Sequence, residues 1–225
     1  MNTDYQKTKK EFKKAFRAIL NKEKNYALAE AAFPAYSHAN PLIDFLFWQR
    51  IKIVYEYILK NDIKTVIDFG CGSGIMSYLL ANQGIKVYSM DVEMSPLKKM
   101  EQFISFPKSI DFINTSTEKF TSDIKVEAIV ALDVLEHIEN LEEQLTIFHT
   151  WLKPNGEIIV SGPTENIFYK IGRKLAGSDF SGDYHVSNIQ AIKQIMKETT
   201  SITPIKTLYP VINFFEIFKA EFLKQ

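Results

Sequence analysis

From Thr65 onward, short apolar runs alternate with segments whose apolar positions recur every three or four residues, the pattern of repeated strand–helix units feeding a parallel sheet. The predicted strands are Thr65 to Phe69, Lys86 to Met90, Ile110 to Asn114, Ala128 to Leu132, Glu157 to Ser161 and Ile202 to Leu208. Between them the helices have readable ends. Gly84 stops the helix that begins near Gly74, Ser95 and Pro96 make an N-cap with proline at the first helical position, and Ser187 with Gln190 forms a capping-box pattern. In the tail, Phe214, Phe215, Ile217, Phe218 and Phe222 fit an amphipathic helix and a buried strand nearly equally. Aromatic enrichment favours a strand, paired with Ile202 to Leu208 as an edge hairpin.

Residues 5–62 lack this alternation. A lysine-rich helix comes first, then the aromatic block "FPAYSHANPLIDFLFWQRIKIVYEYILK", with a break between Pro34 and Pro41. The predicted organisation is a helical N-terminal extension or lid over residues 1–62 and one α/β domain over 63–225. The extension either packs against the sheet's edge or covers a site, since Tyr36, Phe47, Trp48 and Arg50 are types that line pockets.

Composition narrows the class. A chain of 225 residues, 46% hydrophobic, has material for one core. Lys plus Arg and Asp plus Glu both number 27, so no net field favours a nucleic acid, although a neutral total can hide a local basic patch. One cysteine, Cys71, excludes an intramolecular disulfide framework and a multi-cysteine zinc site, and fits a reducing compartment, with the cytoplasm as default. No signal-peptide pattern and no run of about 18 apolar residues stands in the sequence. The expectation is a soluble or membrane-peripheral protein.

Three glycines in "VIDFGCGSG", Gly70, Gly72 and Gly74, would let a ligand touch the main chain after the first strand. A dinucleotide asks for G-x-G-x-x-G, and the third position here is Ile75, which weakens an NAD-dependent oxidoreductase as the alternative. Asp68 lies two residues before the first glycine and would orient the loop and meet a cationic ligand, which a pyrophosphate is not. Asp91, ending the second strand, stands where one carboxylate can take two ribose hydroxyls. Both acids point to a nucleoside with a charged, non-phosphate end.

"VIDFGCGSG" resembles the first motif of class I S-adenosylmethionine-dependent methyltransferases, and "VYSMDVE" their acidic motif after the second strand. "AIVALDVLEHI" and "LKPNGEIIVSGP" resemble the fourth- and fifth-strand segments, in the right order over about residues 62–165. Within that superfamily, "LDVLEH", "SGPTEN" and "GDYHVSNI" are similar to ubiquinone-biosynthesis-type O-methyltransferases. The resemblance implies a Rossmann-like α/β fold, a seven-stranded, mostly parallel sheet whose final strand is antiparallel, with helices on both faces. It implies S-adenosylmethionine as cofactor and S-adenosylhomocysteine as product. Gly70, Cys71 and Gly72 would line the methionyl end, Asp91 would hold the ribose, Val92 would lie beside the adenine, and Leu132 would sit by the cofactor. Many relatives carry an acid after the third strand that contacts the adenine amine. This chain has Ser116, followed by Thr117 and Glu118, and Ser116 could accept that hydrogen bond.

Methyl transfer from a sulfonium is an in-line displacement, for which positioning alone supplies roughly 7–11 kcal/mol. A base is needed only when the acceptor's proton has a high pKa. His137 is the candidate base; the competing reading is a histidine hydrogen-bonded at a helix start. Asp133, Glu136 and His137 could also share a helical face and offer a divalent metal three ligands, as Glu, Glu and His do in some relatives, but no metal ligand is assigned. His185 borders the expected acceptor region or is a surface loop histidine, and Cys71 packs or touches cofactor rather than acting as a nucleophile.

The acceptor expected from the resemblance is a small or lipid-linked molecule, methylated at oxygen. Ile167, Phe168, Ile171 and Leu175 beside Lys170, Arg173 and Lys174 make residues 167–177 a basic amphipathic stretch, either peripheral to a membrane or an ordinary helix covering the site. Arg50, which follows "NPL" as an arginine does in those relatives, is a candidate partner for the cofactor's carboxylate.

Overall fold

The predicted apolar runs all become strands. The computed structural model describes residues 2–23, 25–118, 120, 123–164, 188–208 and 215–224. Its strands are β1 (Thr65–Phe69), β2 (Lys86–Asp91), β3 (Ile110–Asn114), β4 (Val126–Leu132), β5 (Leu152–Pro163), β6 (Thr200–Leu208) and β7 (Phe215–Phe222). They form one seven-stranded sheet in the order β3-β2-β1-β4-β5-β7-β6, with helices on both faces. The helices are α1 (Asn2–Lys22), α2 (Tyr26–Glu30), α3 (Phe33–Tyr36), α4 (Pro41–Lys60), α5 (Ile75–Ala81), α6 (Ser95–Met100), α7 (Leu141–Trp151) and α8 (Ile189–Met196). Among the described residues no helix is long and apolar enough to cross a membrane.

The chain divides into two compact units, Met1–Lys64 with Cys71–Phe120, and Thr65–Gly70 with Thr121–Gln225. In the first, β2 runs parallel to β3, with Val87 opposite Ile110 and Asp91 opposite Asn114. α1 buries Tyr5, Phe12, Phe16 and Ile19, one stripe of its helix. Phe12 meets Tyr78 of α5 at 5.3 Å between ring centroids and Phe106 at 6.3 Å, and Phe16 meets Phe33 at 4.6 Å. Burying each such side chain stabilises by about 1.5–3 kcal/mol, so the N-terminal helices belong to this unit's core. Asp44 of α4 accepts from Lys9 at 2.6 Å and from Lys13. Its burial would raise the carboxyl's pKa, but the two ammonium partners outweigh that and hold it below the ordinary value.

In the second unit β1, β4 and β5 are parallel, with Val66, Ile67, Ala128, Ile129, Val130, Ile158 and Ile159 buried. Strands covered on both faces read as unbroken apolar runs, which is why the sequence announces them. β4 and β5 start earlier than expected, because Leu152 pairs with Val126 before a register shift and Glu157 resumes the ladder opposite Ala128. The tail is a strand, antiparallel to both β5 and β6. It is the inner strand of the hairpin and β6 the edge, which explains why Phe215, Ile217 and Phe218 are buried while β6 alternates with exposed positions.

Two helix starts differ from expectation. α6 begins at Ser95 itself, after Met94, because Lys98 N donates to Met94 O at 3.0 Å, and the Glu93 carboxylate accepts from Ser95 N at 2.8 Å. α8 is capped by Asn188, whose side chain accepts from Gln190 N and Ala191 N at 3.0 Å each; Ser187 lies outside the described residues.

Candidate functional site

The turn after β1 needs glycine for two physical reasons. Gly70, Gly72 and Gly74 have φ of 72°, 52° and 75°, the left-handed region that other L residues avoid. Close approach adds to this: a Cβ on Gly70 would meet Val134 Cγ2 at 2.4 Å, and one on Gly74 would meet Leu97 Cδ1 at 2.8 Å. At Gly72 the nearest atom would be Ala31 Cβ at 3.5 Å, an ordinary contact, so the space beside Gly72 is bounded by the α2–α3 corner.

Within the first unit, Cys71, Gly72 and Asp91 come together. Cys71 N donates to Met90 O at 3.0 Å, and Gly72 N donates to Asp91 Oδ2 at 2.8 Å. The other oxygen, Oδ1, accepts from Glu93 N at 3.0 Å. Each carboxylate oxygen has about two lone-pair sites, so Asp91 anchors the loop and still has capacity for two ligand hydroxyls. Val92, next in sequence, is 68% exposed.

The segment after β3 is ordered by Asn114, which the sequence reading missed. Its Oδ1 accepts from Ser116 N at 3.0 Å and from Ser116 Oγ at 2.6 Å, while Thr117 N donates to Asn114 O at 3.1 Å. The signal was present in "NTST", an Asx-turn pattern. The Ser116 hydroxyl directs its proton at Asn114 and retains acceptor lone pairs, the polarity that an adenine amine requires. Thr115 N donates to Asp91 O at 2.9 Å, so this turn is tied to Asp91. Arg50 is 1% exposed, donates from Nη2 to Tyr36 Oη at 2.9 Å and lies 4.9 Å from the Phe47 ring centroid.

Within the second unit, Asp68 is buried in β1 opposite Val130, and Leu132 ends β4 opposite Ser161. Asp133 follows with φ of 54°, and its N donates to Ser161 O at 2.9 Å. Next comes a single 3-10 turn, Leu135–His137. Asp133, Glu136 and His137 therefore do not share the helical face expected for them. The left-handed residue breaks the repeat, and a 3-10 turn rotates about 120° per residue, which leaves Glu136 3% exposed and His137 on the surface. Among the described residues no group of three or more His, Cys, Asp and Glu side chains could hold a metal ion. His185 and the stretch 167–177 lie outside the described residues.

Residues 35–199, more than half of the chain, match the family described as a methyltransferase domain. The chain belongs to the methyltransferase domain family. The chain is also similar to the ubiquinone biosynthesis O-methyltransferase of Rickettsia typhi, 30% identical over 114 residues, which are 50% of this chain and 45% of that protein. A second, from Rickettsia conorii, is 30% identical over 46% of this chain and 37% of its own length. The chain thus spans less than half the length of these curated relatives. The methyltransferase fold is shared with magnesium protoporphyrin IX methyltransferase from Synechocystis PCC 6803, solved with bound SAH, at TM-score 0.57, 19% identity, and coverage of 78% of this chain and 83% of that one. It is shared too with an N-methyltransferase from Bradyrhizobium japonicum WM9 in complex with S-adenosyl-L-homocysteine, at TM-score 0.58, 14% identity, and coverage of 83% and 90%.

In this methyltransferase domain the candidate elements of the site differ in how firmly they are held. The Asp91 carboxylate, with two backbone amides on it, is fixed by groups 19 and 2 residues away in sequence. Glu93 adds a third such bond, and the Ser95 backbone amide, then the Ser95 hydroxyl, hold its carboxyl below the ordinary value.

Proposed function

We propose that this chain is an S-adenosylmethionine-dependent methyltransferase that moves a methyl group in line to an oxygen of a small-molecule or lipid-linked acceptor. Asp91 carries the reading: it holds the glycine loop through Gly72 N and keeps the acceptor capacity that two ribose hydroxyls need. Asp68, Gly70, Cys71, Gly72 and Gly74 would receive the methionyl end, where left-handed glycines put bare main chain against the ligand. Exposed Val92 and the acceptor lone pairs of Ser116, with Thr117 beside it, suit the adenine, and Leu132 stands by the cofactor. Bound there, S-adenosylmethionine supplies a methyl group on a cationic sulfonium and leaves as S-adenosylhomocysteine. His137 would take the acceptor's proton as the new O–C bond forms. Arg50, buried with Tyr36, is the candidate for the cofactor's carboxylate.

A nicotinamide dinucleotide suits the loop less well, because Ile75 occupies the third glycine position of its fingerprint. Equal numbers of acidic and basic residues, 27 each, favour a small acceptor over nucleic acid. The similarity to ubiquinone biosynthesis O-methyltransferases supports a lipid-linked acceptor as one form of the small-molecule substrate. On that reading the location is cytoplasmic or membrane-peripheral, 167–177 is the candidate contact segment, and residues 1–62 are a helical extension or a lid.

Thermal unfolding with S-adenosylmethionine, S-adenosylhomocysteine and NAD tests the cofactor assignment. At a hundred times the dissociation constant a native-state ligand adds about 2.7 kcal/mol, a rise on the order of 5–10 °C. The two sulfur nucleosides should raise the midpoint and NAD should not, and Asp91→Ala should abolish the rise. A larger rise with NAD would refute the assignment.

A further inference from the structure

We propose that the cofactor site reads the ribose strictly and the base loosely, so that the chain takes the 6-oxopurine form of its nucleoside about as well as the 6-aminopurine form. This rests on the assignment of Asp91 to the ribose and of the turn after β3 to the adenine. The turn lies beside Asp91: Asn114 stands opposite it in the β2–β3 ladder, one strand spacing of about 4.8 Å away, and Thr115 N donates to Asp91 O at 2.9 Å. A base carried by a ribose on Asp91 therefore meets residues 114–118. Adenine presents a donor at its C6 amine and an acceptor at N1. Hypoxanthine presents an acceptor at its C6 carbonyl and a donor at N1. A site that separates the two needs a fixed acceptor for the amine, best a carboxylate, or an available N–H for N1.

The turn is built to supply neither. Its four amides are already used: Thr115 N on Asp91 O, Ser116 N on Asn114 Oδ1 at 3.0 Å, and Thr117 N and Glu118 N on Asn114 O at 3.1 and 2.8 Å. The group left to meet C6 is the exposed Ser116 hydroxyl, which both donates and accepts and rotates to suit its partner. As it stands, its proton is directed at Asn114 Oδ1 at 2.6 Å and its lone pairs suit an amine. Turned over, it gives that proton to a C6 carbonyl, while Asn114 Oδ1 keeps the bond from Ser116 N. One neutral hydrogen bond is exchanged for another. A carboxylate in the same place only accepts, so it would hold the amine and repel the carbonyl. Val92, 68% exposed, offers its contact to the purine face, which both bases share. Asp91 is different in kind, a fixed carboxylate that only accepts, so discrimination concentrates on the ribose. Glu118, the acid nearest in sequence to Ser116, is the rival reader of the amine.

Calorimetric titration of the full chain with S-adenosyl-L-homocysteine and its deaminated form, S-inosyl-L-homocysteine, is the test. The two dissociation constants should agree within about fivefold, since one neutral bond replaces another. Ser116→Asp should separate them by at least about tenfold in favour of the adenosyl form, because the bond to the amine becomes charge-assisted and the carbonyl faces an anion. Ser116→Ala should weaken both alike, by up to about tenfold, and Glu118→Gln should change neither. Both positions are exposed, and unfolding midpoints without ligand check that the variants fold as the parent does. A wider gap between the two nucleosides in the parent would overturn the proposal, as would an unchanged ratio in Ser116→Asp or a ratio that moves in Glu118→Gln. Binding of neither nucleoside would remove the cofactor assignment itself and this inference with it, whereas tight binding of the adenosyl form alone would leave the assignment standing and remove only the inference.

Discussion

The segments after β2 and β4 both leave buried parallel strands and both carry acids, but their backbones take different forms. After β2, Asp91 and Glu93 turn their carboxylates onto backbone amides: Gly72 N and Glu93 N on Asp91, Ser95 N on Glu93. Charge-assisted bonds of this kind are roughly twice as strong as neutral ones, so the local backbone is set before any ligand arrives. After β4 the main chain is tied by backbone bonds, Asp133 N to Ser161 O at 2.9 Å, His137 N to Val134 O at 3.0 Å and Ile138 N to Leu135 O at 3.2 Å. Asp133 holds a left-handed φ of 54°, strain on the order of 1 kcal/mol, and the tight turn brings His137 to the surface. The first arrangement suits holding a ligand by preset polar groups. The second suits presenting a titratable side chain, and the two should fail in different ways.

The largest effect should come from Gly70→Ala, where the strand-end glycine meets the β4 turn. The added methyl requires φ of 72° from a residue that avoids it and would sit 2.4 Å from Val134 Cγ2, so Val134 and its turn must shift. Left-handed strain and overpacking together should cost roughly 2–5 kcal/mol in urea unfolding. Gly84→Ala is the control, with φ of 78° and nothing within 4 Å of the new methyl, and should cost only about 1–2 kcal/mol. Equal losses at the two sites would mean that contact with the β4 turn contributes nothing.

Next in size is His137→Gln. A general base contributes at least about a hundredfold, so kcat for an oxygen acceptor should fall by that factor while KM for S-adenosylmethionine stays put. Because the side chain is exposed, stability should change by less than about 0.5 kcal/mol. An unchanged kcat would remove His137 from the chemistry and leave positioning as the whole of the catalysis.

Legibility from sequence followed the same divide. β1 and β4 were legible because strands covered on both faces write continuous apolar runs, and Asp91 because it ends such a run. The inner position of β7 was not, since periodicity separates strand from helix but carries no information on which strand it will join. Ala31 beside Gly72 was out of reach, being a contact across about 40 residues with no local signature. The shared face imagined for Asp133, Glu136 and His137 assumed a helix directly after β4, whereas α7 starts only at Leu141, behind the Asn140 cap. Ser95 looked like the cap of α6 because its type and the following proline fit, but Lys98 N, the donor such a cap would take, goes to Met94 O, while the Glu93 carboxylate takes Ser95 N.

That last competition yields the smallest effect and the finest test of the β2 segment. The Glu93 carboxyl is held below its ordinary value by the Ser95 backbone amide first and the Ser95 hydroxyl second. A depressed folded-state pKa means that the contribution is present above the unfolded value, about 4.3, and disappears as pH falls through the folded value. Glu93→Gln keeps an acceptor for Ser95 N but removes the charge, and the site is solvated, so its cost at pH 7 should stay below about 0.5 kcal/mol. Parent and variant urea midpoints should differ slightly at pH 7 and converge as pH falls through the depressed folded value, below which both side chains are neutral. A gap that persists in acid would make the bond to Ser95 one of shape rather than charge, and the contrast between the two segments would then rest on Asp91 alone.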